Sequence, residues 1–311
     1  MSKTSDYGTR LVITAPELKV EKVEDLMVNL DYGALPLSSA IVNFNASVIF
    51  WIKRFFENEF GGGVKHKLIN DKGKIEYVEV KDPLIVFSED RIKEEMNRFV
   101  HGYSNRFIPV DVPLVNGKTS YMIFKGHNVT PEQVANGDTL GESSLINRRL
   151  TWCDILYMAA TEACSDKCVL VTRFPIDSAY SQTPMKTRIS TIKETEKIYV
   201  NNTYYPFYPK IREEDIGKNT SHMFIDTFQM CNLYLKGFKG DYDGDQVSVK
   251  GVYIAESNDE LFNYMNSKAN YISSGGLNIR VSSIDAIMAI YSLTKVLLDT
   301  EKKLTTNIEF G

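Results

Sequence analysis

Between Gly240 and Gln246 the chain reads Gly-Asp-Tyr-Asp-Gly-Asp-Gln, with carboxylates at the alternating positions Asp241, Asp243 and Asp245. Three like charges this close are costly unless something offsets them, so the segment restricts what the surrounding fold can be. Oxygen-only ligands converging from alternating positions suit a hard divalent cation, and Mg²⁺ in particular leaves positions open for water or phosphate oxygens. Gly244 permits the sharp turn, and the alternating Val247 and Val249 that follow read as a strand. Tyr234 and Leu235 suggest a second strand before the loop. The competing reading is a solvated acidic turn, because Asp and Gly are favoured in any turn. An EF-hand is excluded: Gln246 stands where that loop needs glycine, and Val252 where it needs glutamate. The Asp-x-Asp-Gly-Thr pattern of haloacid-dehalogenase phosphatases fits Asp241 to Gly244 but departs at Asp245, and too little chain follows for the βα units that fold requires.

The rest of the chain alternates in texture. Arg10 to Ile13 predicts a short strand stopped at Ala15-Pro16. From Ser39 to Phe60, Phe44, Val48, Trp51, Ile52, Phe55 and Phe56 recur at helical spacing until Gly61-Gly62-Gly63 ends the pattern. A hairpin follows around Asp71-Lys72-Gly73 into Ile75 to Val80, and Asn116-Gly117 predicts a second hairpin with a type I′ turn. Ile92, Met96 and Phe99 mark a helix, and Thr130-Pro131-Glu132-Gln133 opens another with a capping box. Trp152, Ile155, Leu156 and Ala159 predict a helix leading into a strand from Cys168 to Thr172. Short strands are expected over 186–254, a helix capped by Ser257-x-x-Glu260, and a final apolar helix over 284–298.

The loop closely resembles the Asn-Ala-Asp-Phe-Asp-Gly-Asp-Gln metal loop in the largest (β′-type) subunit of multisubunit DNA-dependent RNA polymerases. Further segments are similar and fall in that family's order. Ser5 to Ile13 resembles the stretch that begins the catalytic barrel, and Trp152-Cys153-Asp154-Ile155-Leu156 resembles the family's Trp-Asp-Ile-Leu helix. Val169 to Pro175 is similar to its Val-Leu-Leu-Asn-Arg-Ala-Pro strand, and Tyr271 to Asn278 with Asp285 to Thr294 to its later Leu-Ser-Pro-Ala-Asn-Gly and Leu-Tyr-Tyr-Leu-Thr segments. Residues 61–147 lie outside the resemblance. It implies an α+β fold: a double-psi β-barrel with a long mixed α/β insertion and a helical C-terminal tail. The corresponding division is 1–33 for the first barrel strands, 34–167 for the insertion, 168–255 for the rest of the barrel with the metal loop, and 256–311 for the tail.

The same resemblance makes Asp241, Asp243 and Asp245 ligands of a catalytic Mg²⁺, places Arg173 near ribose hydroxyls at the RNA 3′ end, and places Arg10 near the nucleic-acid backbone. Lys239 replaces the family's ribose-contacting asparagine, so it is a candidate phosphate contact or a solvated lysine. Asp177-Ser178-Ala179-Tyr180 and Ile284 also depart from the pattern. Gly311 precedes the point where the family's bridge helix and trigger loop would come. The expected partners are therefore a β-type subunit, the remaining β′ segments, DNA template, RNA product and nucleoside triphosphates. The texture resembles a split subunit of a large bacteriophage, expected in the cytoplasm of an infected bacterium or in a virion. A two-barrel RNA-dependent RNA polymerase shares the Asp-Tyr-Asp-Gly-Asp spelling, and a metal-dependent phosphohydrolase or a Ca²⁺-binding module remain as alternatives from other classes.

Charge agrees with a shared site. Lys+Arg of 36 against Asp+Glu of 40 gives a net charge of −4, so a channel for nucleic acid would need basic surface from other subunits. His66, His101, His127 and His222 are scattered and the four cysteines lack ligand spacing, which argues against zinc and for reduced structural thiols. No apolar run is long enough to span a membrane and no secretory leader is visible, so an intracellular protein without membrane partners is expected.

Overall fold

The computed structural model describes residues 7–16, 26–63, 65–83, 87–102, 105–130, 133, 144–273 and 275–280. The architecture is mixed α+β around a closed six-strand barrel. Its strands are β1 (Gly8–Thr14), β2 (Tyr32–Pro36), β9 (Cys168–Thr172), β10 (Gln182–Ser190), β13 (Phe228–Gln229) and β14 (Gln246–Gly251), closed in the order β1-β13-β2-β10-β9-β14. The pairs β1/β13 and β2/β10 run parallel and the other four antiparallel. Inward side chains such as Ile13, Val171, Met185, Phe228, Val247 and Val249 are buried and fill the interior. Register aligns Arg10 with Ser248, Ser248 with Thr172 and Thr172 with Gln182, making one polar row across four neighbouring strands.

Two further sheets lie outside the barrel. One joins β3 (Lys65–Ile69), β4 (Ile75–Glu79), β5 (Asp111–Pro113) and β6 (Thr119–Tyr121) in the order β4-β3-β6-β5. The other joins β7 (Ile123–Asn128) and β8 (Leu145–Arg149) to β11 (Thr195–Val200) and β12 (Thr203–Pro209), in the order β12-β11-β7-β8. A division at 33/34 falls inside β2, and β11 and β12 complete a sheet begun in the 34–167 stretch. Asn201 and Asn202, at φ of 49° and 60°, form the two-residue turn between β11 and β12. That is where the type I′ geometry occurs. At Asn116-Gly117 only Gly117 has positive φ, at 78°, and its N–H donates to the Leu114 carbonyl at 3.0 Å. The turn is a type I turn followed by a left-handed glycine, because the Asn116 side chain accepts from the Lys118 N–H at 2.9 Å instead of its backbone turning over.

The predicted helix over Ser39 to Phe60 is two helices, α1 (Leu37–Asn43) and α2 (Asn45–Phe60), broken at Phe44. Phe44 has φ −121° and is fully buried, its ring against Gly251 and Tyr253, and the Tyr253 hydroxyl donates to the Asn43 carbonyl. The break places that ring against the barrel and gives a helix carbonyl a partner. α3 (Glu89–His101) carries Ile92, Met96 and Phe99 on its buried face. α4 (Trp152–Cys164) is buried nearly all round, packed between α2 and β10, and opens with a capping box between Thr151 and Asp154. Thr130 and Gln133 also make their reciprocal capping bonds, while the helix they would open lies outside the described residues.

Tyr234 and Leu235 are not in a strand: Asn232–Tyr234 is a 3₁₀ turn and α5 (Leu235–Phe238) follows. The short helix buries Phe238 and lets the Tyr234 hydroxyl donate to the Leu30 carbonyl, contacts an extended segment would break. α6 (Ala255–Asn266) starts before Ser257, which makes no cap. The start is fixed by buried Asn258, whose Oδ1 accepts from the Cys168 N–H at 2.7 Å and whose amide donates to the Val252 and Ile254 carbonyls. Asn258→Ala is therefore expected to cost about 1–3 kcal/mol in urea denaturation, because it leaves buried backbone groups unpaired. A loss below the error of the fit would remove Asn258 as the anchor of this helix. The predicted helix over 284–298 lies outside the described residues, and no described helix is long and apolar enough to cross a membrane.

Candidate metal centre

The acidic loop sits where three barrel strands converge. Asp245 immediately precedes β14, and its carbonyl accepts from the Ile13 N–H of β1 at 2.9 Å. Arg173 immediately follows β9, with its N–H held by the Ser181 carbonyl at 2.9 Å. Within the loop the side chains alternate. Tyr242 turns inward, its ring packing on the core and its hydroxyl donating to Asn232 Oδ1 at 2.6 Å. Burial pushes that hydroxyl up to about 12. Asp241 and Asp243 on either side face solvent, and Gly244 at φ +120° makes the bend that returns Asp245 toward them.

One carboxylate oxygen from each of Asp241, Asp243 and Asp245 lies within 4.8 Å of the others. The Asp243 carboxyl is held above its ordinary range, first by a hydrogen bond with Asp241 and then by the Asp241 charge. Asp245 Oδ2 is already occupied. It accepts from Arg173 Nε and from the Asp241 N–H, each at 3.0 Å, and lies 2.8 Å from Arg173 Nη2 as an ion pair. Three carboxylate oxygens this close to one another could together hold a hard divalent cation such as Mg²⁺. Cys153, Cys164 and Cys168 are buried, and burial pushes the Cys164 thiol up to about 12 and the Cys168 thiol up to about 11.

No protein-family model matches the chain, and no curated protein matches it.

Beside the loop lies an open cavity of about 430 Å³ lined by Arg10, Arg173, Phe174, Gly244, Asp245, Gln246 and Ser248. Arg10 and Arg173, singled out from the sequence, thus share one cavity with Asp245. Lys239 does not line it. It is left-handed, at φ 49°, and its ammonium pairs with Asp177. The Asp177 carboxyl is held below its ordinary range by Lys239 and by the Ser181 hydroxyl. Phe174, Gln246 and Ser248 are additions that the sequence reading missed. Ser248 reaches this face only through its register with Arg10, which no local pattern reveals. Phe174 is 66% exposed and lines the same cavity as the two arginines, so its ring offers a stacking surface there.

Proposed function

We propose that this chain is the catalytic-centre part of a DNA-dependent RNA polymerase of the multisubunit type, working only with other subunits. The observation that carries this reading is the convergence of Asp241, Asp243 and Asp245 at the mouth of a six-strand barrel, next to a cavity holding Arg10 and Arg173. Barrel closure with two parallel strand pairs supports the double-psi form of the fold. Mg²⁺ held by the three aspartates would lower the pKa of the RNA 3′ hydroxyl and offset charge on the reacting phosphate. The protein's own contribution is positional. Tyr242 pins the loop from inside, Arg173 holds Asp245, and Arg10 presents a guanidinium to phosphate oxygens from the neighbouring strand. The partners in this reading are a β-type subunit, the remaining β′ segments, template DNA, the RNA product and nucleoside triphosphates. Its setting is the infected bacterial cell or the virion.

The test is to tag the chain in its native source, purify what assembles with it, and measure Mg²⁺-dependent nucleotide incorporation on a primed DNA template. The assembly is expected to extend the primer and the isolated chain to give none. Robust extension by the isolated chain would overturn the dependence on other subunits. A folded, nucleic-acid-free assembly without incorporation would overturn the polymerase reading.

A further inference from the structure

We propose that Arg173 is a positioning residue whose guanidinium clamps both ends of the acidic loop, and that this clamp sets the loop's affinity for a divalent cation. The inference rests on the metal-centre reading above and assigns Arg173 a task there other than the ribose contact implied by resemblance.

The geometry is that of a strut. At the far end of the loop, Arg173 Nε donates to Asp245 Oδ2 at 3.0 Å, and Nη2 lies 2.8 Å from the same oxygen as an ion pair. At the near end, Nη1 donates to the carbonyl of Phe238, the last residue of α5, at 3.2 Å. Residues 239–245 are thereby strung between two points fixed by one planar group. The clamp leaves little room at position 240: a Cβ on Gly240 would lie 3.3 Å from both Arg173 Cδ and Nε, and 3.2 Å from Asp245 Oδ2. The Arg173 side chain is itself only 20% exposed, and its backbone is tied to Ser181 at the head of β10, so the anchor is the barrel wall.

Charge and geometry predict opposite signs. As a cation, Arg173 should oppose a metal ion, and its removal should tighten binding. As a strut, it prevents the aspartates from splaying apart, and its removal should weaken binding. Asp241 and Asp243 are exposed, so the charge effect is screened by water and salt, whereas the geometric effect is not.

Mn²⁺ is the probe, titrated into the full chain and followed by electron paramagnetic resonance, with thermal melting measured in parallel. Arg173→Ala is expected to weaken Mn²⁺ binding by about 10–100-fold. Arg173→Lys keeps the charge but cannot reach Asp245 and the Phe238 carbonyl together, so it is expected to lose most of the same affinity while melting like wild type. Glu194→Gln breaks an exposed ion pair with Arg212, neither residue belonging to the loop or its cavity, and is expected to stay within about twofold of wild type. Arg173→Ala binding as tightly as wild type or tighter would overturn the proposal. So would full affinity in Arg173→Lys, which also covers the case of an alanine variant that does not fold. A folded wild-type chain that binds no Mn²⁺ would instead sink the metal-centre reading, and this inference with it.

Discussion

Asp243→Ala, introduced into the purified assembly, is expected to reduce Mg²⁺-dependent nucleotide incorporation to background while the assembly stays intact. Asp243 is exposed, and the interactions that shift its carboxyl are with its neighbours in the loop, Asp241 first and Asp245 after it. Removing it takes away one of the three carboxylates proposed to hold the metal and nothing from the core. The fold should therefore be unaffected or slightly relieved, since like charges no longer crowd the loop, and exposed substitutions of this kind usually stay within about 0.5 kcal/mol. The measurement is labelled-nucleotide incorporation on a primed template beside a thermal melt of the same preparation. Activity equal to wild type in the mutant assembly would show that the loop is not the metal centre. A Ca²⁺-binding module or an unrelated site would then be the better explanation of the acidic turn.

The largest stability effect is expected from Asp154→Ala. Asp154 lies in the first turn of α4, is completely buried, and is the hub of a polar cluster inside the core. Arg148 Nη2 donates to its Oδ1 at 2.7 Å and Nη1 to its Oδ2 at 2.8 Å. The Tyr208 hydroxyl donates to Oδ1 at 2.8 Å, and the Thr151 N–H and hydroxyl donate to Oδ2 at 2.8 and 2.7 Å. The Arg148 guanidinium also stacks 4.2 Å from the centre of the Phe124 ring. Alanine would strand a buried guanidinium and leave Tyr208 and Thr151 unpaired, a loss of about 3–5 kcal/mol. Urea denaturation of the isolated chain measures it, and a loss under about 1 kcal/mol, the scale of an exposed ion pair, would mean the cluster is not buried in solution. Replacing both partners together, as Arg148→Met with Asp154→Leu, should cost much less than Asp154→Ala alone.

The same cluster carries a pH dependence. Burial pushes the Asp154 carboxyl up, but the Arg148 charge and hydrogen bond, with those from Thr151, outweigh it and hold the group below its ordinary range. A depressed folded-state value means that the stabilisation is complete above the unfolded-state value of about 4 and is lost as pH falls through the folded one. Wild type should therefore lose stability on acidification more steeply than Asp154→Ala.

Asp154 also shows where sequence reading stops. Its helix was legible from the spacing of Trp152, Ile155, Leu156 and Ala159, but nothing local distinguishes a buried aspartate paired with Arg148 from a solvated one. The acidic loop, β1 and β14 were legible because turn chemistry and alternation act over a few residues. The break at Phe44 was not, because it is forced by Gly251 and Tyr253, far along the chain. Arg173 and Arg10 were picked out by motif, but their shared cavity with Asp245 depends on the register of β1, β14 and β9. The pairing of Lys239 with Asp177 joins two residues 62 positions apart that no local sequence pattern relates.

The sheet β12-β11-β7-β8 is sewn from stretches that lie on either side of barrel strands β9 and β10 in the sequence. The 34–167 stretch is for that reason not a removable cassette. A shortened chain lacking β7 and β8 would strip cover from Ile198 and Tyr208 and take Arg148 away from Asp154, while the barrel strands themselves stayed whole. Loss or exchange of that middle block is tolerable only if the β11–β12 hairpin goes with it, which ties the size of the outer lobe to an event on the far side of the barrel in sequence.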